Sequence, residues 1–465
     1  MTEKIRCVSP VDGRIYAERI AASEAHVAAS LAAARAAQRD WRLRPIGERA
    51  RFCLAAVEAM LAMGDEIPAE LAWQMGRPVR YGAGELRGLE ERARYMIGIA
   101  EAALAPIDPG PKEGFRRWIA RDPLGVIMVV APWNYPYLTA VNSVVPALMA
   151  GNAVILKHAA QTLLVGERFQ RAFDAADLPA GLFQNLVLTH EQTAAILRAR
   201  AVDQVNFTGS VAGGRAMEAA AAGGFLGVGL ELGGKDPGYV RADADLVQAV
   251  ETLVDGAFFN SGQSCCGIER IYVDRSVYRD FLDGFVETTR AYALGDPLEP
   301  ATTLGPLVKA EAAGFVRGQI AEAVRAGAKA LIDPKLFARD AVGTPYMAPQ
   351  VVVDVNHEMS LMREESFGPV VGIMPVADDE EAVRLMNDSP YGLTAAIFTN
   401  DVDAAARLGQ EIETGTVFMN RCDYLDPALA WTGVKDTGRG VTLSRLGYET
   451  LTRPKSFHLR TDRPA

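Results

Sequence analysis

The strongest chemical signal in the chain is a thiol at a glycine-containing turn, Phe258-Phe-Asn-Ser-Gly-Gln-Ser-Cys-Cys266. Cysteine is the most reactive side chain for covalent catalysis near neutral pH, provided its surroundings help to form thiolate. Buried free cysteine is also common, so this segment alone leaves a nucleophile and a structural thiol both open. A second signal is Gly229-Leu-Glu231-Leu-Gly-Gly-Lys235, a carboxylate among leucine and glycine. Burial would raise its pKa and make it a general base, whereas the usual fate of a lone glutamate is a surface ion pair. A third is Phe207-Thr-Gly-Ser-Val-Ala-Gly-Gly214, where Gly209 and Gly214 frame a turn after a strand and before a helix. Such a helix N-terminus can receive a pyrophosphate. The spacing is neither the dinucleotide fingerprint nor a Walker loop, and taken alone a simple tight turn accounts for it better. The fourth is Ala131-Pro-Trp-Asn134-Tyr-Pro136. The Asn134 amide can donate to an oxyanion or merely satisfy a turn beside proline.

A thiol, an acidic base, an amide donor and a phosphate-accepting turn are together the parts needed to oxidise an aldehyde through a thioester. At this point the chain resembles the aldehyde dehydrogenase superfamily over nearly its whole length. The strings that carry the resemblance are Ala-Pro-Trp-Asn134, Leu156-Lys157, Phe207-Thr-Gly-Ser210, Glu231-Leu-Gly-Gly-Lys235 and the Asn-x-Gly-Gln-x-Cys265 segment. They continue with Glu364-Glu-Ser-Phe-Gly-Pro369, Ser389-Pro-Tyr-Gly-Leu393, Gly415-Thr-Val-Phe-Met-Asn420 and Gly433-Val-Lys-Asp-Thr-Gly438. The resemblance implies that Cys265, the second residue after Gly262-Gln263, is the nucleophile, that Glu231 is the base and that Asn134 is the oxyanion donor. It implies NAD or NADP as cofactor and no metal. Lys157 would meet the adenosine ribose, with Ala160 nearby. Gly209, Ser210 and Gly214 would lie at the pyrophosphate turn, Glu365 on the nicotinamide ribose, and Phe367, Trp133 and Leu232 along the cofactor. The aldehyde funnel would hold Tyr137, Thr139, Asn142, Phe259, Arg421, Leu425 and Trp431.

Two departures follow Lys157. Relatives usually have proline where His158 stands, and many NAD-preferring relatives have glutamate where Ala160 stands. A carboxylate there would accept from a ribose 2′-hydroxyl and repel a 2′-phosphate. Its loss implies that NADP is tolerated beside NAD. Relatives that take aldehydes with a distal carboxylate often carry arginine at the positions of Asn142 or Phe259. Neither is arginine here, so the expectation is a neutral or aromatic aldehyde, with Arg421 left as a possible anchor or a solvated charge. The alternatives are a CoA-acylating relative, which Glu231 argues against, and a thiol esterase without redox chemistry, which leaves Lys157, Gly209 and Glu365 unexplained. A non-catalytic protein of the same fold fits poorly with Cys265, Glu231 and Asn134 all in place.

These residues need a frame. Val126–Val130 and Ala153–Lys157 read as buried strands, as do Leu186–Leu188 and Gln204–Phe207, with helices between them, including Gly166–Ala176. Strands alternating with helices imply βαβ units and a parallel sheet, with ligands at the carboxyl ends of the strands. That expectation puts Asn134, Lys157 and Gly209 on one rim. Before it, Ser23 can cap a helix that starts an Ala-rich helical region reaching about Leu104. After Gly233-Gly234 a second α/β segment is expected. Its helices are Asp245–Phe259 and Lys309–Ala326, and its strands Ile271–Val273, Val351–Val353, Val370–Ile373 and Thr416–Phe418. The fold class is α/β: a Rossmann-like parallel-sheet cofactor domain, an α/β catalytic domain and a small β oligomerisation element. Residues 1–104 and 124–233 are assigned to the NAD(P)-binding domain, 234–436 to the catalytic domain, and 105–123 with 437–465 to the oligomerisation element. The resemblance implies that Arg116–Asp122 there pairs with Leu451–Leu459 and that the protein is a homodimer or homotetramer; an exposed edge of this kind usually finds a partner.

Composition sets the outer limits. The 465 residues are 49% hydrophobic and 23% charged, which excludes a disordered chain, a collagen and a disulfide scaffold. Lys+Arg 48 against Asp+Glu 58 leaves a net charge of −10, so neither nucleic acid nor an anionic membrane is an expected partner. The five cysteines are scattered, with no C-x-x-C pair, as expected of reduced thiols. The first residues lack the apolar stretch of a signal peptide and no run is long enough to span a bilayer, so the expected compartment is the cytoplasm. The five histidines lie outside the catalytic strings, and a Cys–His pair is not indicated.

Overall fold

Val126–Val130 is a run of five apolar residues, buried on both faces, as a central parallel strand must be. It pairs in parallel with Ala153–Lys157 on one side and Gln204–Thr208 on the other. In this computed structural model, which describes residues 3–462, it lies at the centre of a six-stranded sheet. Phe183–Asn185 extends the sheet beyond Ala153–Lys157, and Gly227–Glu231 extends it beyond Gln204–Thr208. The order therefore reverses between Val126–Val130 and Gln204–Thr208. That is the crevice where doubly wound sheets bind ligands, and Asn134 and Gly209 leave the sheet there. The outer ends of the first and last expected segments, residues 1–2 and 463–465, lie outside the described residues.

Four residues, Leu232 to Lys235, connect Gly227–Glu231 to Asp236–Val240, a central strand of a second, seven-stranded sheet. This sheet runs Lys329–Ala330, Gln350–Val353, Val370–Val376, Ile268–Asp274, Asp236–Val240, Thr394–Phe398, Thr416–Met419, parallel except at Lys329–Ala330. Three of its strands, Asp236–Val240, Thr394–Phe398 and the two-residue Lys329–Ala330, have no counterpart in the sequence expectation. Pro237 and Gly238 disguise the first, because proline is normally kept out of central strands. It is tolerated beside a register irregularity opposite Ile268 and Arg270. The buried Asp236 carboxylate ties the first two strands together by accepting from the Thr394 amide at 3.0 Å and its hydroxyl at 2.6 Å.

Other boundaries differ from expectation. The strand expected at Leu186–Leu188 is Phe183–Asn185, three residues earlier. Gln184 and Asn185 concealed it, since both spend polar groups on neighbours: Gln184 Nε2 donates to the Ser30 carbonyl and the Asn185 amide to Gln170. The helix expected from Gly166 begins at Leu163. Ahead of the helical region, Lys4–Val8 and Ile15–Ile20 form an antiparallel hairpin around Asp12-Gly13, where Gly13 takes a φ of +75°. The terminal stretch 437–465 does not behave as one unit. Gly438–Arg439 adds to the six-stranded sheet, and the Ser444–Glu449 helix is tied to the Val79–Ala103 helix by the Tyr448 hydroxyl donating to the Met96 carbonyl. Only Thr452–Arg460 pairs with Phe115–Pro123, in an antiparallel ribbon across which Trp118 stacks on Phe457.

Helix caps follow local chemistry. Ser23 accepts from the His26 amide at the start of Glu24–Trp41, and Asp245 from the Val247 and Gln248 amides at the start of Leu246–Phe258. Lys309 and Ala326 flank the Ala310–Arg325 helix. The Val79–Ala103 helix lies along Pro136–Met149 and turns one face, with Glu85 and Arg92 buried on it, toward the crevice between the sheets.

Candidate active site

Cys265 follows a turn that only particular residues can form. Asn260, Ser261 and Gly262 have φ values of +53°, +57° and +70°, three consecutive residues in the left-handed region. At Gly262 a side chain is excluded twice over, because a Cβ would also lie 2.3 Å from the Gly368 carbonyl oxygen. The turn is held by buried polar side chains. The Ser261 hydroxyl donates to the Gly305 carbonyl, and Gln263 donates to the Asn260 carbonyl while accepting from the Val308 amide. Strain fixed by such a network is a common feature of functional turns.

The turn presents two thiols in different settings. Cys265 is half-buried and lines both large cavities of the molecule. Cys266 is buried, and its Sγ lies 2.9 Å from Asp423 Oδ1. Hydrogen bonding with Cys265, and then burial, hold the Cys266 thiol well above the usual thiol range. Asp423 is itself pushed up to about 6 by burial. Cys266 is thus protonated and occupied, while Cys265 faces open space.

Glu231 ends the last parallel strand of the first sheet. Its two oxygens accept from the Thr208 hydroxyl at 3.1 Å and the Thr442 hydroxyl at 2.6 Å. Burial pushes its pKa up, while those two hydrogen bonds and the Arg92 charge pull it back. Asn134 is buried, and its Nδ2 donates to the Gln263 carbonyl at 3.3 Å, which ties it to the cysteine turn. Its own carbonyl accepts from Arg77 and from Asn260. Arg77 in turn pairs with Glu85, and Glu85 accepts from the Tyr137 and Leu138 amides at the start of the Pro136–Met149 helix.

Two cavities meet at Cys265, Glu231, Thr208 and Leu232. The first, about 430 Å³, opens beyond the carboxyl ends of Val126–Val130, Gln204–Thr208 and Gly227–Glu231. Trp133, Asn134, Gly209, Ser210, Leu232, Glu365 and Phe367 of the expected site line it. Trp133 and Phe367 meet edge to face with ring centroids 5.7 Å apart. Ser210 caps the next helix by accepting from the Gly213 amide. Glu365 accepts from the Gly234 amide, and burial, with Glu269 beside it, pushes it up to about 8. The Glu269 carboxylate, paired with buried Lys235, accepts the Ser366 and Phe367 amides and so holds this loop. Lys157, Ala160 and Gly214 do not line the cavity. Lys157 ends the neighbouring strand, buried, its pKa lowered by that burial. His158, pushed down to about 4 by burial, donates from Nε2 to the Pro136 carbonyl and accepts at Nδ1 from the Ala159 amide and the Thr162 hydroxyl. Gly214 presses on Leu232, where a Cβ would clash at 2.6 Å.

The second cavity, about 510 Å³, lies on the other side of Cys265. Thr139, Asn142, Phe259, Leu425 and Trp431 line it as expected. Two expected members do not. Tyr137 points the other way from the same helix, fully buried against Phe169. Arg421 is exposed, its guanidinium 3.6 Å above the Tyr424 ring. Sequence reasoning missed most of this wall: Tyr81, Glu85 and Arg92 from the Val79–Ala103 helix, Arg77 just before it, and Asp423 and Tyr424 from the facing loop. A signal existed in charged residues standing on an apolar helix face, where Glu85 and Arg92 alternate with Leu86, Leu89, Ala93 and Met96. Among the described residues, no group of three or more His, Cys, Asp or Glu side chains is arranged to hold a metal ion, and no helix is long and apolar enough to cross a membrane.

Residues 1–457 match the model of the aldehyde dehydrogenase family. A protein of Mycobacterium avium (strain 104) named succinate-semialdehyde dehydrogenase, NADP(+), is 35% identical over 455 residues, covering 97% of this chain and 96% of that one. A protein of the same name from Deinococcus radiodurans is 32% identical over 448 residues, covering 96% and 93%. The solved NAD-dependent aldehyde dehydrogenase of Sinorhizobium meliloti superposes with a TM-score of 0.94 at 30% identity, covering 100% of this chain and 92% of that one. The chain belongs to the aldehyde dehydrogenase family, oxidoreductases that act on the aldehyde group.

Proposed function

We propose that this protein oxidises an aldehyde to the carboxylic acid with NAD or NADP, through a thioester on Cys265. The observation that carries the reading is that Cys265, Glu231 and Asn134 line one cavity, with Cys265 and Glu231 at the seam where the second cavity joins it. The first cavity fits a dinucleotide. It opens at the reversal point of a parallel sheet, offers a helix N-terminus at Ser210, aromatic faces at Trp133 and Phe367, and a buried carboxyl at Glu365. Lys157, buried and without an ion-pair partner among the described residues, suits the adenosine end. Bound there, a nicotinamide would supply the hydride acceptor.

Cys265 Sγ attacks the aldehyde carbonyl carbon from the shared wall. The developing oxyanion is met by the second N–H of the Asn134 amide, the first being committed to Gln263, and by the Cys265 backbone N–H. Loss of hydride from that carbon leaves a thioester on Cys265. Glu231, raised by burial yet steered by two threonine hydroxyls, takes a proton from water, which releases the acid and frees the thiol. The same base disfavours the CoA-acylating alternative, in which water must be kept from the thioester.

We read residues 1–104 and 124–233 as the cofactor domain and 234–436 as the catalytic domain, with the Phe115–Pro123 and Thr452–Arg460 ribbon as the edge used in a homo-oligomer. The absence of any disulfide among the cysteines suits a cytoplasmic setting. Ala160 leaves no carboxylate to repel a 2′-phosphate, which supports use of NADP beside NAD. The aldehyde body rests on Phe259, Leu425 and Trp431. The expectation of a neutral or aromatic substrate depended on the lack of arginine at positions 142 and 259, and Arg92 reopens it. The test is a panel of aldehydes, including the succinate semialdehyde of the relatives' names, run with both nucleotides and followed by absorbance of the reduced cofactor. Reduction that tracks aldehyde oxidation supports the reading. A folded, nucleotide-binding protein that reduces neither cofactor with any aldehyde would overturn it.

A further inference from the structure

Arg92 lies on the inner face of the Val79–Ala103 helix and lines the aldehyde-side cavity. Its residue exposure is only 8%. Nη1 donates to the Leu138 carbonyl at 3.0 Å and to Asn142 Oδ1 at 3.4 Å, both neutral acceptors. Among the described residues it makes no ion pair, and Nε and Nη2 take no protein partner. The carboxylates around it are all engaged elsewhere. Glu85 pairs with Arg77 and caps the Pro136–Met149 helix. Glu91 accepts from the Tyr424 hydroxyl, Glu231 holds two threonines, and Asp423 holds Cys266.

An arginine side chain keeps its proton in a protein. A buried charge is costly unless something of opposite sign meets it. Here the open part of a planar fork, the geometry that takes a carboxylate in two parallel hydrogen bonds, stands in the wall of a cavity that also holds the candidate nucleophile. The guanidinium is held in place through Nη1 alone, by the Leu138 carbonyl and Asn142 Oδ1 of the facing helix.

We propose that Arg92 anchors a distal carboxylate of the aldehyde, so that the substrate class is a short aliphatic aldehyde bearing a terminal acid. This rests on the reading of Cys265 as the nucleophile and names the substrate of that same site. Arg92 is a specificity residue that acts on the far end of the substrate, not on the reacting carbon.

The experiment is steady-state kinetics with succinate semialdehyde and with butanal, which has the same carbon count and no acid. The parent protein should favour succinate semialdehyde in kcat/KM. Arg92→Met should lower that preference by about 100-fold, carried by KM for the acid substrate, because a hydrogen-bonded charge is lost at the far end. Arg92→Lys should restore part of it. Arg92→Gln, polar but uncharged, should behave like Arg92→Met and serves if the latter does not fold. A preference that stays within about 3-fold of the parent in the folded variants overturns the anchor while leaving Cys265 chemistry standing. So does an equal fall in kcat for both aldehydes with a displaced acid limb of the pH profile, which would mean that Arg92 acts only through Glu231. A parent that oxidises butanal but not succinate semialdehyde also overturns it. A parent inactive on both takes down the underlying reading as well.

Discussion

The cavity beyond the first sheet rests on strand ends and the turns that follow them, faced by the start of the Ala310–Arg325 helix and the 365–367 loop, whereas the cavity on the other side of Cys265 is walled mainly by side chains from the Val79–Ala103 and Pro136–Met149 helices and the 423–425 loop. On the first side, Asn134, Gly209, Ser210 and Glu231 each follow or end a parallel strand, so their places are set by the hydrogen-bond register of the sheet. On the second, Arg92, Phe259, Tyr424 and Trp431 come from elements far apart in the chain, joined by contacts such as the Tyr81–Phe259 ring pair and the Tyr424–Glu91 hydrogen bond. A wall built on a sheet tolerates little change and suits an invariant cofactor. A wall built from side chains can be recut one residue at a time, which suits selection among aldehydes.

The sharpest way to break this comparison is at the seam. Cys265→Ala should abolish aldehyde oxidation, by at least about 10⁴-fold in kcat, because no other group takes over covalent catalysis. Nucleotide affinity, followed by fluorescence titration, should stay within a few-fold, since Cys265 only borders the sheet-built cavity and its strand ends are unchanged. Asn134→Ala should cost about 10²–10³ in kcat with a small change in KM. A loss confined to KM would remove Asn134 from the oxyanion and return it to the turn that it also braces.

The contrast explains which parts could be read from sequence. Strand-end motifs are local, and the residues flanking Asn134, Gly209 and Glu231 carry the strand, the turn and the functional group in one short string. Tyr137 lies outside the cavity that Thr139 lines because the two turn to different sides of one helix, and Glu85 fixes the helix start so that Tyr137 meets Phe169. Arg421 takes the solvated one of its two expected places, over the Tyr424 ring, and nothing local in the sequence chooses between them. Arg92 was missed because its role depends on a helix more than forty residues before Asn134 lying along the Pro136–Met149 helix. The strand Asp236–Val240 was missed because a proline is permitted there by a tertiary register shift, not by its own propensity.

Smaller effects sharpen the cofactor side. Ala160 is exposed at the start of a short turn after Lys157, so a longer side chain has room. Ala160→Glu should raise the preference for NAD over NADP by about 10- to 100-fold in kcat/KM, through repulsion of the 2′-phosphate. The parent ratio should lie below a thousandfold, and a larger one would remove the argument from Ala160. Glu365 gives the smallest effect. Its pKa is raised in the folded protein from 4.5 to about 8, so the folded state holds a proton that the unfolded state has lost. Its contribution to stability is full below pH 4.5 and is lost as pH rises through about 8. Glu365→Gln should therefore raise Tm of the cofactor-free protein by about 1–2 °C at pH 8 and by little at pH 5, measured by scanning calorimetry. An equal gain at both pH values would mean that the carboxyl is not neutral in the fold.

The central claim is that the sulfur of Cys265 carries the acyl group. Glu231→Gln should slow hydrolysis and let the adduct accumulate during turnover with aldehyde and nucleotide. Mass spectrometry of acid-quenched protein should then find the acyl mass on the peptide that contains Cys265 and Cys266, with fragmentation placing it on Cys265. An adduct on Cys266, or no adduct at all while reduced nucleotide is being formed, would contradict the account.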